Sequence, residues 1–298
     1  MAEQARPVQA LGARELAKLM DEVDALPSVP LVAERVGELV HDPRADARAI
    51  AAVMRGDPAL TAKVLKLVNS PYFAIPGGVT DITRAISFLG FNAIHQLVLT
   101  VSVFQVFGVG AGHYAERFFR HSLAAAGVAE GIAELIGHGE TAECFTAGLL
   151  HDLGKLAMLQ VAPEHFTRAI EVAEAESITV RAAELELGLP SHDALGLRLA
   201  KRWRFPLSLQ SAIGSHHQLA VDQRRNVPKN LHATVDITGL ADLLCHRWGF
   251  VSADGEAPPL PKELLSRLNL LPSFERQARD QLKRKIDRSE MLMRILAE

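Results

Sequence analysis

Apolar residues recur along this chain at the three-to-four-residue spacing of an α-helix, and few segments alternate as a half-buried strand does. Asp57-Pro58 has the residue types that begin a helix, and Leu60, Val64 and Leu67 then fall on one face. Apolar residues make up 48% of the chain and aromatic residues only 5%, so the core is aliphatic and Ala-rich. This composition favours helices over sheets, and the sequence predicts an all-α fold.

The 298 residues allow one large domain or two modest ones. We expect a helix from Ile82 to about Gly90, and a second one, capped by Asn92, that is buried all round. Closely spaced glycines then suggest a boundary, which divides the chain into residues 20–108, 109–250 and 251–298. Later helices are predicted near residues 115–136, 140–153, 163–175, 179–187, 191–203, 206–218 and 231–248. The last part is predicted to be an exposed connector and an amphipathic helical tail, which either packs on the rest of the chain or mediates association.

Charge and composition disfavour several classes of protein. The formal net charge is −3, so no strong positive field exists to attract nucleic acid. Cys144 and Cys245 lie far apart and form no disulfide framework, which is typical of the reducing cytoplasm. Met1 to Gly12 has no signal-peptide pattern, and the apolar run Ile94 to Val109 is short for a membrane span. We therefore expect a cytoplasmic protein that binds neither nucleic acid nor a membrane.

The sharpest chemical feature is His151-Asp152, flanked by Gly148 and Gly154 and followed by Lys155. A neutral imidazole and a carboxylate both bind divalent cations, and the glycines allow close approach of backbones. Lys155 is a candidate contact for a phosphate oxygen near that metal. Adjacent residues of a helix do not share a face, so joint ligation requires a helix end or two metals. The alternative is an ordinary polar pair at a helix end.

Further imidazoles and carboxylates fall on apolar helix faces: His121, His192, His216, His217 and Asp242. Each alone is typical of a hydrogen-bonded core or rim residue. As a set they indicate a site, because burial of such groups costs free energy unless they are paired or ligated. His192 follows Ser191, a possible N-cap, where the helix dipole would disfavour the protonated imidazole. The remaining histidines are assigned no role: His41, His95, His113, His138, His165, His232 and His246.

Several stretches together resemble the HDOD family over roughly residues 20 to 250. In the first half the matching stretches are Leu26 to Pro30, Gly56 to Thr61, Val68 to Phe73 and Thr83 to Gly90. In the second half they are His121-Ser122, His151 to Lys155 and His216-His217. The resemblance implies an all-α fold in which an N-terminal helical half packs on an HD-like helical bundle. It also implies a regulatory or output role in bacterial signal transduction, with signalling proteins or a second copy as partners.

The related HD and HD-GYP phosphohydrolases supply a metal pattern by the same resemblance. In it His121, His151, Asp152 and Asp242 match a mononuclear core, with Asp236 as a weaker alternative for the last carboxylate. The additional ligands of the dinuclear enzymes are matched by His192, His216 and His217, and their phosphate-contacting lysine by Lys155. The resemblance thus implies one or two divalent ions, and mixed His/Asp ligation suits iron, manganese or zinc.

Two departures separate this chain from the HD-GYP enzymes. Gln218 follows His216-His217 where those enzymes carry Glu, and the Gly-Tyr-Pro signature is absent. Two functions remain open. The favoured one is a non-catalytic regulatory module with a metal- or ligand-binding HD pocket, for example for a nucleotide. The alternative is a metal-dependent phosphohydrolase that acts on a cyclic dinucleotide or another phosphodiester.

Overall fold

The structure is a computed structural model that describes residues 11–40, 42–107, 113–251 and 259–297. Within these ranges the chain forms α-helices and two short 3-10 helices and contains no β-strand, which confirms the all-α prediction. The helices of the first half are α1 Ala13–Ala25, α2 Leu31–Val40, α3 Ala47–Met54, α4 Pro58–Val68 and α5 Ile82–Phe107. Those that follow are α6 His113–Leu135, α7 Thr141–Leu150, α8 Leu153–Val161, α9 Pro163–Glu176, α10 Val180–Glu186, α11 His192–Arg202, α12 Leu207–Ser215, α13 His232–Arg247, α14 Lys262–Arg267 and α15 Phe274–Ala297.

Helix α4 shows how the local sequence sets these elements. The Asp57 carboxylate accepts the backbone N–H of Leu60 at 3.0 Å, and Pro58 occupies the first turn, where it has no N–H to leave unpaired. Leu60 and Val64 are fully buried, as the apolar spacing predicts. After the helix, the Asn69 side chain makes two hydrogen bonds with the backbone of Val79. These bonds hold the loop between α4 and α5.

Helix α5 is the long apolar element of the core. It is kinked at Gly90, whose φ of 81° falls in the region that glycine adopts without strain, so the two predicted helices are two arms of one element. By length and composition it is the one helix of the described residues that could span a membrane, yet 61% of its apolar window is buried. The second arm is buried from Ile94 to Phe104. It is a core helix, as predicted.

The predicted helix over residues 140–153 is wrong at its C-terminal end. Helix α7 ends at Leu150, and α8, which the sequence analysis missed, begins at Leu153. Helix α7 packs closely on α6, since a Cβ atom on Gly148 would lie 2.7 Å from the carbonyl oxygen of Ala125. This confirms the expected role of Gly148, because only glycine permits so close an approach of the two backbones.

The C-terminal tail packs on the rest of the chain, which is the first of its two predicted roles, and a role in association stays a prediction. Helix α15 lies along α6 and buries Leu282 and Ile286 completely. Ser289 donates a hydrogen bond to the carbonyl oxygen of Leu123 at 2.7 Å. The division at 108/109 and most of the 251–261 connector lie outside the described residues, as do residues 1–10 and His41. The three-part division of the chain therefore stays a prediction.

Candidate metal centre

The break between α7 and α8 places His151 and Asp152 in a turn, which supplies the helix end that joint ligation requires. His151 Nδ1 donates to the carbonyl oxygen of Gly148 at 2.7 Å, so Nε2 is the atom that faces the centre. A histidine ligand is commonly oriented in this way through its second nitrogen. Both residues are completely buried.

A first lobe of the centre joins this turn to helices α6 and α13. His121 Nε2 lies 3.3 Å from His151 Nε2 and 3.2 Å from Asp242 Oδ1. Asp152 Oδ2 lies 3.3 Å from His151 Nε2 and 3.5 Å from His121 Nε2. His121, His151 and Asp152 thus form one set whose ligand atoms lie within reach of a single ion, and Asp242 joins His121 in a second, overlapping set.

His246 also reaches this lobe, although the sequence analysis gave it no role. Its Nε2 atom lies 3.2 Å from Asp242 Oδ1, and the two residues are one turn apart on α13. That i, i+4 spacing puts them on the same face of the helix. The spacing was present in the sequence and was the signal that would have identified His246.

A second lobe contains the other three predicted histidines. His192 Nε2 lies 3.3 Å from Asp152 Oδ1 and 2.9 Å from His217 Nε2. His216 directly follows α12, and its Nδ1 donates to the carbonyl oxygen of Ile213, as His151 does to Gly148. The two oxygens of Asp152 therefore face different lobes, so this carboxylate can bridge two ions.

Glu184 is a buried carboxylate that the sequence analysis missed. It accepts hydrogen bonds from the backbone N–H of His192 at 2.9 Å and from its Nδ1 at 2.8 Å. Ser191 occupies the predicted N-cap position, but its side chain makes no capping bond. Burial lowers the pKa of His192, yet the Glu184 carboxylate outweighs it and the pKa is raised. The net shift of the His192 pKa is therefore opposite to the one that the helix dipole alone would give, and the dipole effect stays a prediction.

Asp236, the weaker alternative for the last carboxylate, lies in a separate ion network. It pairs with Arg224 at 2.6 Å and with Arg267 at 2.7 Å. Lys155 is buried, and its Nζ atom lies 2.8 Å from Asp152 Oδ2. Lys155 thus contacts a carboxylate of the centre directly, at the edge of the first lobe.

The pKa values of the buried groups in the centre are shifted in different directions. Burial opposes ionisation of Asp152 and Asp242, but the surrounding imidazoles outweigh it and hold the pKa of both carboxyls well below the usual range. Burial also lowers the pKa of His151, but the neighbouring carboxylates raise it to about 10. For His216, burial and the charge on His151 lower the pKa to about 4. The carboxylates are therefore ionised and His216 is neutral at physiological pH, which are the forms that bind a metal.

The arrangement fits divalent cations. Oδ1 of Asp152, Oδ1 of Asp242 and Nε2 of His216 are buried without a hydrogen bond, although charged or imidazole groups lie 3.2–3.8 Å away, whereas Oδ2 of Asp152 pairs with Lys155. Buried polar atoms rarely lack a partner, and one ion in each lobe would satisfy these atoms together. The mixed imidazole and carboxylate donors suit iron, manganese or zinc.

Comparison with known proteins agrees with this fold. The HDOD domain family pattern matches residues 26–219. An HDOD domain protein of unknown function from Geobacter sulfurreducens has 26% identity and a TM-score of 0.71, with 94% of this chain and 95% of that chain covered. A candidate signal-transduction protein from Marinobacter aquaeolei VT8 has 24% identity and a TM-score of 0.73, with 94% and 61% covered.

Two further relatives extend the comparison. A candidate phosphohydrolase from Shewanella amazonensis SB2B shares the fold at 24% identity and a TM-score of 0.67, with 94% of this chain and 98% of that chain covered. An uncharacterized protein of Treponema pallidum (strain Nichols) is 24% identical over 253 residues, which is 84% of this chain. This chain spans about half of that relative, 47% of its length. From the family pattern and the shared fold, the chain belongs to the HDOD domain family.

Proposed function

We propose that this chain is a cytoplasmic module of bacterial signal transduction whose buried centre binds two divalent cations and which acts through protein contacts without turnover. Its partners would be signalling proteins or a second copy of itself. Family membership supports the signalling role, as does the fold shared with a candidate signal-transduction protein. As the charge balance indicates, we expect no binding to nucleic acid or membranes.

The observation that carries this proposal is a two-lobed centre most of whose donors are buried, with His217 and His246 half-buried. His121, His151, Asp152, His192 and His216 are at most 1% exposed. Asp242 is 4% exposed and Lys155 3%. With most of its donors buried, the centre is less accessible to a phosphodiester than to a small ion in this conformation. A buried site of this kind suits a structural or sensory metal better than a substrate.

Metal content tests the proposal. We would purify the protein without chelator and measure metal per chain for the wild type, for Asp152→Ala and for the control His165→Ala, which changes a histidine outside the centre. We expect up to two equivalents of iron, manganese or zinc in the wild type and in the control. Asp152→Ala should retain little of either ion, because it removes the carboxylate that faces both lobes. Metal-free wild-type protein, even after incubation with these ions, would contradict the proposal.

A second function, metal-dependent phosphodiester hydrolysis, is favoured by Lys155. Its buried ammonium group beside Asp152 is placed as a phosphate contact would be, and divalent ions there would supply Lewis acidity and an activated water. The cavity that Lys155 lines has a volume of only about 10 Å³, which is room for about one water molecule. We therefore expect no turnover of cyclic dinucleotides by the metal-loaded protein above that of Asp152→Ala. Turnover that is lost in Asp152→Ala and in Lys155→Met would establish this second function instead.

A further inference from the structure

Helix α13 presents two residues to the first lobe, Asp242 and His246. The metal pattern of the HD phosphohydrolases, as matched to this chain, includes Asp242 but does not include His246. The two residues are one turn apart, and His246 Nε2 lies 3.2 Å from Asp242 Oδ1. His246 is half-buried, whereas His121 and Asp242 are buried, so it lies at the outer edge of the lobe.

Asp242 Oδ1 is surrounded by three imidazoles. Nε2 of His121 and Nε2 of His246 each lie 3.2 Å from this oxygen, and Nε2 of His151 lies 3.5 Å from it. The oxygen nevertheless has no hydrogen bond. Two donors that bind one tetrahedral ion, each at about 2.05 Å, lie roughly 3.3 Å apart. The spacing around Asp242 therefore suits donors that share an ion, and His246 is spaced from it as His121 is.

His121 joins His246 to the rest of the lobe. The ligand atoms of His121, Asp242 and His246 lie within 4.8 Å of one another, and a second such set joins His121 to the turn between α7 and α8. His121 Nδ1 donates to the carbonyl oxygen of Phe250 at 2.6 Å, so its lone pair is on Nε2. A single lone pair binds one ion at a time. The two sets are therefore two parts of the coordination sphere of one ion.

We propose that His246 is a ligand of the first-lobe ion and that it makes this lobe prefer a borderline cation such as zinc over manganese. This inference rests on the metal binding proposed above. Without His246 the lobe offers two imidazoles and two carboxylates, and with it imidazoles are the majority. Imidazole donors suit zinc, iron and copper, whereas carboxylate donors suit manganese and magnesium. The third imidazole thus shifts the lobe towards zinc.

The test compares the affinities of the metal-free full chain for Zn²⁺ and for Mn²⁺, measured by competition with a chelator. All proteins carry His217→Ala, which removes a donor of the second lobe. His246→Leu should lower the zinc affinity by about tenfold or more, since the loss of a partner that only orients a ligand already costs that much. The manganese affinity should fall by much less. The control His165→Leu changes a half-buried histidine on α9 and should leave both affinities unchanged.

His246→Glu is the second variant. It returns a donor of similar reach, with oxygen in place of nitrogen, so the manganese affinity should rise relative to the zinc affinity. Bound Co²⁺ gives a direct readout, because its visible absorption depends on its donor atoms. The cobalt spectrum should change in both His246 variants and stay the same in the His165→Leu control.

The proposal is overturned if His246→Leu keeps the parent's zinc affinity and cobalt spectrum. It is also overturned if zinc and manganese weaken by the same factor and His246→Glu does not change their ratio, which is the behaviour of a merely structural residue. In both cases the parent protein still binds metal, so the proposed metal centre stands. A parent protein that binds none of the three ions would contradict the metal centre and the role of His246 together.

Discussion

Gly154→Ala tests whether the contact between α8 and α11 sets both the stability of the fold and the second lobe. Gly154 lies in the first turn of α8, against the first turn of α11. A Cβ atom there would lie 1.9 Å from the carbonyl oxygen of His192 and 2.8 Å from the amide nitrogen of Gly196. Both obstructing atoms belong to the backbone and cannot rotate away. The two helices must therefore separate by more than 1 Å to accommodate one methyl group, since a real Cβ contact is essentially never under 3.0 Å.

The magnitude follows from this displacement. Overpacking in a rigid core costs typically about 1–3 kcal/mol, and a backbone obstruction on both sides places this substitution at the upper end. The better helix propensity of alanine returns up to about 1 kcal/mol. We expect a net loss of about 2 kcal/mol in the free energy of unfolding. Because His192 moves with α11, its 3.3 Å contact with Asp152 Oδ1 should lengthen, and the second lobe should lose its ion while the first keeps its own.

Urea denaturation followed by circular dichroism measures the first effect, and metal content per chain measures the second. The matched control is Gly139→Ala, where a Cβ atom would have no neighbour within 4 Å. If Gly154→Ala unfolds within about 0.5 kcal/mol of that control at the same m-value, the packing argument is refuted. A stable variant that keeps both ions would refute the link to the second lobe as well.

Three more outcomes are expected. Glu184→Gln should weaken metal binding in the second lobe by roughly 10–100-fold, because Glu184 orients His192. The control Glu186→Gln should leave metal affinity unchanged. Equal metal affinity in the two variants would argue against this orienting role. Asp236→Ala should lower the free energy of unfolding by about 3–5 kcal/mol, since it leaves the buried Arg224 unpaired, and the further change Arg224→Met should recover part of that loss in urea denaturation. Deletion of residues 262–298 should uncover the apolar face of α6 and yield insoluble or unfolded protein, and a soluble, cooperatively folded product would contradict the packing described for α15.

The helices and the candidate ligands were predictable because both depend on short-range patterns. The apolar spacing of α4 and the set of His and Asp residues on apolar faces are visible within a few turns of sequence. The partnership of Glu184 with His192 is different, because it joins two helices whose relative position depends on tertiary packing. A lone Glu in α10 resembles any solvated carboxylate, so the sequence contains no signal for it.

The break between α7 and α8 was missed for a related reason. No proline interrupts residues 141–161, and each residue there is compatible with a helix. The turn is held by tertiary contacts. The His151 imidazole donates a hydrogen bond to the Gly148 carbonyl oxygen, and Asp152 faces imidazoles on α6, on α11 and directly after α12. Local propensity is a weak guide where buried charges determine the path of the chain.

The architecture of the centre explains why bound metal would matter to the non-catalytic module that we propose. Burial of two carboxylates among imidazoles is costly without compensation, so the metal-free fold carries this penalty. An ion that binds only the folded state adds RT ln(1 + [L]/Kd) to the free energy of unfolding, where [L] is the free ion concentration. This amounts to about 2.7 kcal/mol when that concentration is 100 Kd. This binding energy would stabilise the packing of helices on one another. The first lobe joins α6 to α13, the second joins α11 to the residues that follow α12, and Asp152 belongs to both lobes. Gain or loss of an ion would therefore change how firmly the helices are held together, and the proposed partner protein would respond to that change without any reaction at the centre.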